Sequence, residues 1–195
     1  MANPEHVALA RRYAAGERNM RLEMLDLSGA ALSGLDFSEA WLRDTNLSGA
    51  DLRGCKFAGA PMPGVNFTGA DLTGADLHGA IAAGAIFRQA NLTGASLRSA
   101  DLYGAELTEA TLANADLTQA DLSLAQAARA NFAGARLTRA VLFSANLNQA
   151  NLLNTDLAQA ENIASAKLEG AQLPPDYQPA SNRRRSRFGR GFFKG

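Results

Sequence analysis

Leucine or phenylalanine recurs at every fifth position from Leu22 to Leu157. Of these 28 positions 25 carry Leu or Phe, and only Met62, Ala82 and Ala127 depart. Two residues before each of them, Ala fills 21 of the 28 places. A period of five suits neither regular element. An α-helix turns about 100° per residue, so a step of five rotates the side chain by about 140° and the leucines spiral around the axis. A flat strand alternates its faces, so an odd step throws successive leucines to opposite sides. A chain that turns a corner within every five residues buries all of them. With corners near a right angle, four pentapeptides close a coil of about twenty residues, and coils stack at about 4.8 Å. Twenty-eight repeats make seven such coils, a stack of roughly 34 Å.

The side chains fit this reading. Residues two apart on a short extended segment point the same way, so the central Leu and the Ala before it both face inward. The residue between them faces out and is often Asp or Asn. The two that follow form the corner and are commonly Ser or Thr, then Gly, which suit turns. After Leu157 the frame slips by one, and Ile163, Leu168 and Leu173 take the central place. This predicts a bulge or wider corner near Glu161-Asn162.

Units such as Ala50-Asp51-Leu52-Arg53-Gly54 and Ala70-Asp71-Leu72-Thr73-Gly74 closely resemble the pentapeptide-repeat family. The resemblance covers about residues 20–173. It implies an all-β fold, a right-handed quadrilateral β-helix of seven to eight coils. The handedness comes from the resemblance; spacing alone gives only the four-cornered coil.

The ends of such a stack need covering, because they expose apolar interior and unpaired edges. Residues 3–16 read as one short helix, with Asn3 at the N-cap, Pro4 at the first helical position and Gly16 at the stop. Val7, Ala10, Tyr13 and Ala14 share a face suited to the first coil. At the other end Pro174-Pro175 stops pairing, and Tyr177 is expected over the last coil. The chain divides into an N-terminal helical cap (1–21), a solenoid (22–173) and a C-terminal stop with a basic tail (174–195).

Charge sharpens this division. The formal net charge is +0, yet four arginines and two acids leave +2 on residues 1–21. Nine Lys/Arg and sixteen acids leave −7 on 22–173, and six Lys/Arg and one acid leave +5 on the rest. No apolar run approaches the roughly eighteen residues of a membrane span. The N-terminus lacks the pattern of a signal peptide, and the lone Cys55 has no internal disulfide partner. A cytoplasmic location is the expectation.

Catalysis finds little support. His6 and His78 lie far apart in the chain, and two histidines do not build a usual zinc site. Cys55 takes an inward position and reads as a buried structural thiol. No enzyme activity, metal or cofactor is expected. Met62, Ala82 and Ala127 underfill the interior; Phe87 and Phe132, one pentapeptide on, are expected to take up the space, with a ligand-sized cavity as the alternative.

Residues twenty apart stack in columns, and one wall differs from the others. Around the centres from Leu22 to Leu142, the outward positions carry Trp41, Ile81, Tyr103, Val141 and Phe143. At the same offsets the other walls offer only Ile86 and Leu153 as large apolar residues. Such a cluster suggests a binding surface, although single exposed apolar residues need no explanation. A column of Asp36, Lys56, Asp76, Ser96, Asp116, Arg136 and Asp156 offers charge pairs between coils, each worth about 0–1 kcal/mol. The tail carries Arg183, Arg184, Arg185, Arg187, Phe188, Arg190, Phe192 and Phe193. Arg interleaved with Phe suits nucleic-acid contact, an anionic membrane or an acidic protein pocket.

The sequence thus points to an interaction module that binds an unknown protein through one wall and the tail, as a monomer or a weak end-to-end dimer. The resemblance supports this, since the family includes a heterocyst regulator that works through protein contacts. It also offers an alternative, DNA mimicry protecting a type II topoisomerase, as in quinolone-resistance relatives. A body of −7 interrupted by Arg88, Arg98, Arg129, Arg136 and Arg139 is a poor duplex mimic. A third reading is nucleic-acid or anionic-membrane binding by the tail alone.

Overall fold

The computed structural model describes residues 2–178. From residue 22 the backbone repeats one five-residue unit, shown well by Asp71-Leu72-Thr73-Gly74-Ala75. Ala75 N–H donates to Leu72 C=O (2.9 Å) and closes a four-residue corner. Gly74 has φ +65°, the positive third-residue angle of a type II turn. Leu72 N–H and Gly74 N–H donate to Asn91 and Thr93 carbonyls of the next coil (2.7 and 3.0 Å), and Asp71 N–H donates back to Ala50 (3.0 Å). Thr73 N–H has no backbone partner in this scheme; the Asp71 carboxylate accepts it at 3.0 Å. All five N–H groups of the unit are therefore satisfied. Asn46, Asn66, Asn91, Asp101, Asp116, Asp121, Asn131 and Asn151 do the same for the residue two ahead. The outward Asp/Asn preference is a hydrogen-bond requirement and not merely solvation.

Coils pair in parallel at a spacing of twenty residues, as in Asp51↔Asp71 and Asp71↔Asn91. Four units complete a coil, giving four faces. Face 1 is centred on Leu22 through Leu142, face 2 on Leu27 through Leu147, face 3 on Leu32 through Leu152, and face 4 on Phe37 through Leu157. Each pairing is a single bridge, because a corner every fifth residue leaves too little extended chain for a longer strand. All 28 central residues and most of the Ala residues two before them are buried. Phenylalanines form ladders inside: Phe37 stacks on Phe57 (centroids 5.4 Å) and Phe87 on Phe67 (4.8 Å). Polar residues at the small inward position are bonded. Thr45 Oγ1 donates to Leu22 C=O, and Cys55 Sγ donates to Leu32 C=O (3.0 Å).

The register slips near the C-terminal end. Val141 pairs with Glu161 twenty residues on, but Asn146 and Asn151 pair with Lys167 and Gln172 at twenty-one. The extra residue lies between 161 and 167, where Asn162 takes φ 57° next to the single 3₁₀ turn Ile163–Ser165. One face earlier, the 3₁₀ turn Leu157–Gln159 displaces the ladder. The Asp156 carboxylate there accepts from Leu137 N–H and Thr138 Oγ1. Ile163, Leu168, Leu173 and Tyr177 pack partly buried against the core.

The helix α1 spans Pro4–Ala14, shorter at its end than the expected 3–16, and the chain leaves it through Ala15 before Gly16 takes φ 113°. Asn3 Oδ1 accepts from Glu5 N–H at 2.9 Å, and Ala10 and Tyr13 are buried. The first coil has no coil beneath it, and the N-terminal segment supplies its missing partners. Asn3 N–H donates to Asp26 C=O (3.1 Å), and His6 Nδ1 accepts from Asp26 N–H (2.9 Å). Arg11 Nη2 donates to Ala31 C=O (2.8 Å), Tyr13 OH to Ser38 C=O (3.1 Å) and Arg18 Nη1 to Asp36 C=O (3.3 Å). Three faces of the exposed edge are blunted in this way.

The third corner residue has positive φ at every regular corner, whether or not it is Gly. Gln119 sits there at φ 62°, and Gly134 at φ 71° beneath the Asn114 side chain. A side chain in this region costs about 1–2 kcal/mol. Gln119→Gly is expected to raise stability by about 1 kcal/mol, and Gly134→Ala to lower it by about that much or more. Urea unfolding of both variants measures this; equal midpoints for the two would contradict the strain account.

Burial pushes the Cys55 thiol up from 9.0 to about 11. The folded core holds the neutral thiol, so this contribution is complete below pH 9 and is lost as pH rises through 11. Native protein at pH 8 is expected to resist a thiol reagent that labels the urea-unfolded chain at once. Rapid native labelling would show that the site is not sealed.

Candidate functional site

Seven large apolar residues of the described chain are exposed: Met24, Trp41, Ile81, Tyr103, Leu124, Phe143 and Leu153. All but Leu153 belong to face 1 or its corner. Trp41, Ile81, Tyr103 and Phe143 stand about half exposed, at 48–51 %, and Val141 is half-buried among them. The sequence reading counted only the positions flanking each central residue, so it missed Met24 and Leu124. Both are third corner residues, at 22 and 122 plus two. An apolar side chain where the repeat wants Gly was the signal that could have found them.

Face 1 departs from the repeat's own rules. Leu124 holds φ 60° and Met24 φ 57°, a region costly for such side chains. Pro61 lacks an N–H, so the bond that Ile81 N–H donates to Ala60 C=O one coil on (3.0 Å) has no counterpart there. No Trp41–Pro61 bridge forms among the described residues.

The surface is shaped as well as apolar. The Arg21 guanidinium lies 4.7 Å from the centre of the Trp41 ring. A groove of about 290 Å³ runs between Arg21, Glu23, Trp41, Arg43, Pro61 and Pro63. A second, about 440 Å³, opens on the other side of Trp41 against Tyr13, Arg18, Met20, Ser38 and Glu39. Further along, Ser123 is nearly buried at 7 % exposure, in the column between Tyr103 and Phe143.

Arginines pair with carboxylates on all four faces, including face 1, where Arg21 and Arg43 both meet Glu23 (3.4 and 3.6 Å). Arg88 pairs with Glu106 (2.6 Å), Arg98 with Asp116 (3.1 Å), Arg129 with Glu109 (2.6 Å), Arg136 with Asp116 (3.8 Å) and Arg139 with Glu161 (3.7 Å). Bonds from Gln89 and Arg129 hold the Glu109 carboxyl below the usual carboxylate range. In the face 4 column, Arg136 pairs with Asp116, and Asp36 with Arg18 at 3.4 Å.

His78 Nδ1 lies 3.0 Å from Arg98 C=O, and His6 serves the first coil's edge. Among the described residues no three His, Cys, Asp or Glu side chains gather as a metal site. No helix there is long and apolar enough to cross a membrane. The tail residues Arg183, Arg184, Arg185, Arg187, Phe188, Arg190, Phe192 and Phe193 lie outside the described residues.

No curated protein matches the chain. Among solved structures it is similar to HetL, a pentapeptide repeat protein involved in heterocyst differentiation regulation in the cyanobacterium Nostoc sp. strain PCC 7120. That match has 29 % identity over 91 % of this chain and 99 % of the other, with TM-score 0.44. It is also similar to a trypsin-treated form of QnrB1, a plasmid-mediated fluoroquinolone resistance protein, at 22 % identity over 87 % of each chain and TM-score 0.39. Rfr23 from the cyanobacterium Cyanothece 51142 matches at 19 % identity over 87 % of this chain and 96 % of its own, TM-score 0.28. The family model for pentapeptide repeats matches residues 18–49, 30–69, 50–89, 70–108, 105–142 and 135–173. With that match running nearly unbroken from the end of the N-terminal segment to the last coil, the chain belongs to the pentapeptide-repeat family.

Proposed function

We propose that this protein is a non-enzymatic interaction module: a four-sided, right-handed prism, closed at one end by α1, that binds another protein through face 1 in the cytoplasm. The observation that carries this reading is the concentration of exposed apolar side chains. Six of the seven lie on one face of four, where a random scatter would spread them around the prism. Aromatic anchors with apolar surroundings are the usual energetic centre of a protein interface. The ladder bond given up at Pro61 supports the same reading, because lost backbone bonds persist where a surface serves something other than the fold. The tail is a second contact in this reading.

DNA mimicry of a type II topoisomerase substrate has less support. It needs a continuous acidic surface, and arginines spanning adjacent coils neutralise Glu106, Glu109 and Asp116. Trp41→Ser with Tyr103→Ser is expected to abolish partner capture from the native host while leaving the unfolding midpoint nearly unchanged. Undiminished capture by the folded variant would overturn the proposal, and protection of gyrase from a gyrase poison would favour mimicry instead.

Leu124→Gly separates stability from function. It is expected to stabilise the fold by about 1 kcal/mol by relieving the corner and to weaken partner binding severalfold. Stronger or equal binding would remove Leu124 from the surface.

A further inference from the structure

Face 1 is acidic as well as apolar. Asp101 and Asp121 stack on adjacent coils, joined by a parallel bridge. Each carboxylate accepts the N–H of the residue two ahead, Tyr103 and Ser123. Among the described residues neither has a cation within 4.0 Å, nor do Asp76 and Glu169 on other faces, whereas Glu106, Glu109 and Asp116 are paired; what sets Asp101 and Asp121 apart is that they stack on adjacent coils beside exposed rings. Two like charges about 4.8 Å apart, flanked by Tyr103 and Phe143, form a receptor for a cation. A guanidinium fits best, since it bonds carboxylates and stacks on rings.

The chain carries a matching ligand. Beyond residue 173 it has six Lys/Arg and one acid, with arginines interleaved among Phe188, Phe192 and Phe193. The winding order of the last described coil runs toward this face. Lys167 pairs on face 2 and Gln172 on face 3, and Pro174 is buried. Faces 4 and 1 come next in the winding order. Asp101 lies three coils below Glu161, roughly 14 Å along the axis. The twelve residues from Gln178 to Arg190 span up to about 40 Å when extended.

We propose that segment 183–193 docks in cis along face 1, its arginines over Asp101 and Asp121 and its phenylalanines against Tyr103, Leu124 and Phe143. This rests on reading face 1 as a binding surface: the tail occupies that face in the free protein and is released to make its second contact when the partner takes its place. Charge complementarity selects this occupant over a purely apolar one, which would bury the two carboxylates unpaired.

A fluorescent synthetic peptide of residues 181–195 tests it, titrated by anisotropy into the full chain and into a chain ending at residue 180. Every described residue that packs against the core, Tyr177 the last of them, is kept in the shortened chain. The peptide is expected to bind the shortened chain, more weakly as salt rises. It is expected to bind the full chain at least tenfold more weakly, because the attached tail competes at high effective concentration. Asp101→Asn with Asp121→Asn in the shortened chain is expected to cost at least tenfold. Asn makes the same corner bond at positions 91 and 131, so the fold survives that change. No binding, equal binding to the two chain lengths, or indifference to the double substitution would each overturn the proposal. Partner capture that still depends on Trp41 and Tyr103 would then leave face 1 as a binding surface and reject only its occupation by the tail.

Discussion

The regular corners of this chain close on one hydrogen bond, from the N–H of an inward residue to the carbonyl of the central residue three positions earlier. That bond, closed in type II geometry, fixes the rest of the unit. The geometry puts positive φ at the third corner residue, hence Gly or a strained substitute. It leaves too little extended chain for more than one bridge per coil and face. It also leaves the second corner N–H without a backbone acceptor, which Asp or Asn two residues before supplies from its side chain. Four such corners return the chain above its start, and the i to i+20 bridges then lock the next coil in register.

Much of this was legible in the sequence because the period of five excludes helix and flat strand alike. The slip after Leu157 was legible for the same reason, since a rigid repeat makes a one-residue insertion obvious at Ile163. Other features were hidden because they depend on groups that no periodicity marks. Tyr13 is expected over the first coil, but Arg11 and Arg18 look like ordinary residues of a basic N-terminus; they nevertheless satisfy carbonyls of the first coil's open edge. His6 looked like a lone histidine and is an acceptor for Asp26 N–H. On face 1 the columns beside the central residues led to Trp41 and Tyr103. Met24 and Leu124 escaped because corner positions were read as turn chemistry, not as surface.

The repeat is its own control for function. Arginines pair across coils on all four faces. Such exposed pairs are worth about 0–1 kcal/mol each, enough to favour register without creating a site. Face 1 gives up a ladder bond at Pro61 and carries six of the seven large exposed apolar residues of the described chain. The stacked coils present these side chains in fixed geometry, with little ordering cost on binding.

Site-specific photo-cross-linking in native host extract tests most directly whether face 1 is the binding surface. A photoreactive phenylalanine analogue would replace Tyr103 on face 1 or, as the control, Leu153, the one large apolar residue exposed on the opposite face among the described residues. The account predicts a discrete higher-mass adduct from position 103 and none from 153. Adducts of equal yield from both positions, or from 153 alone, would contradict it.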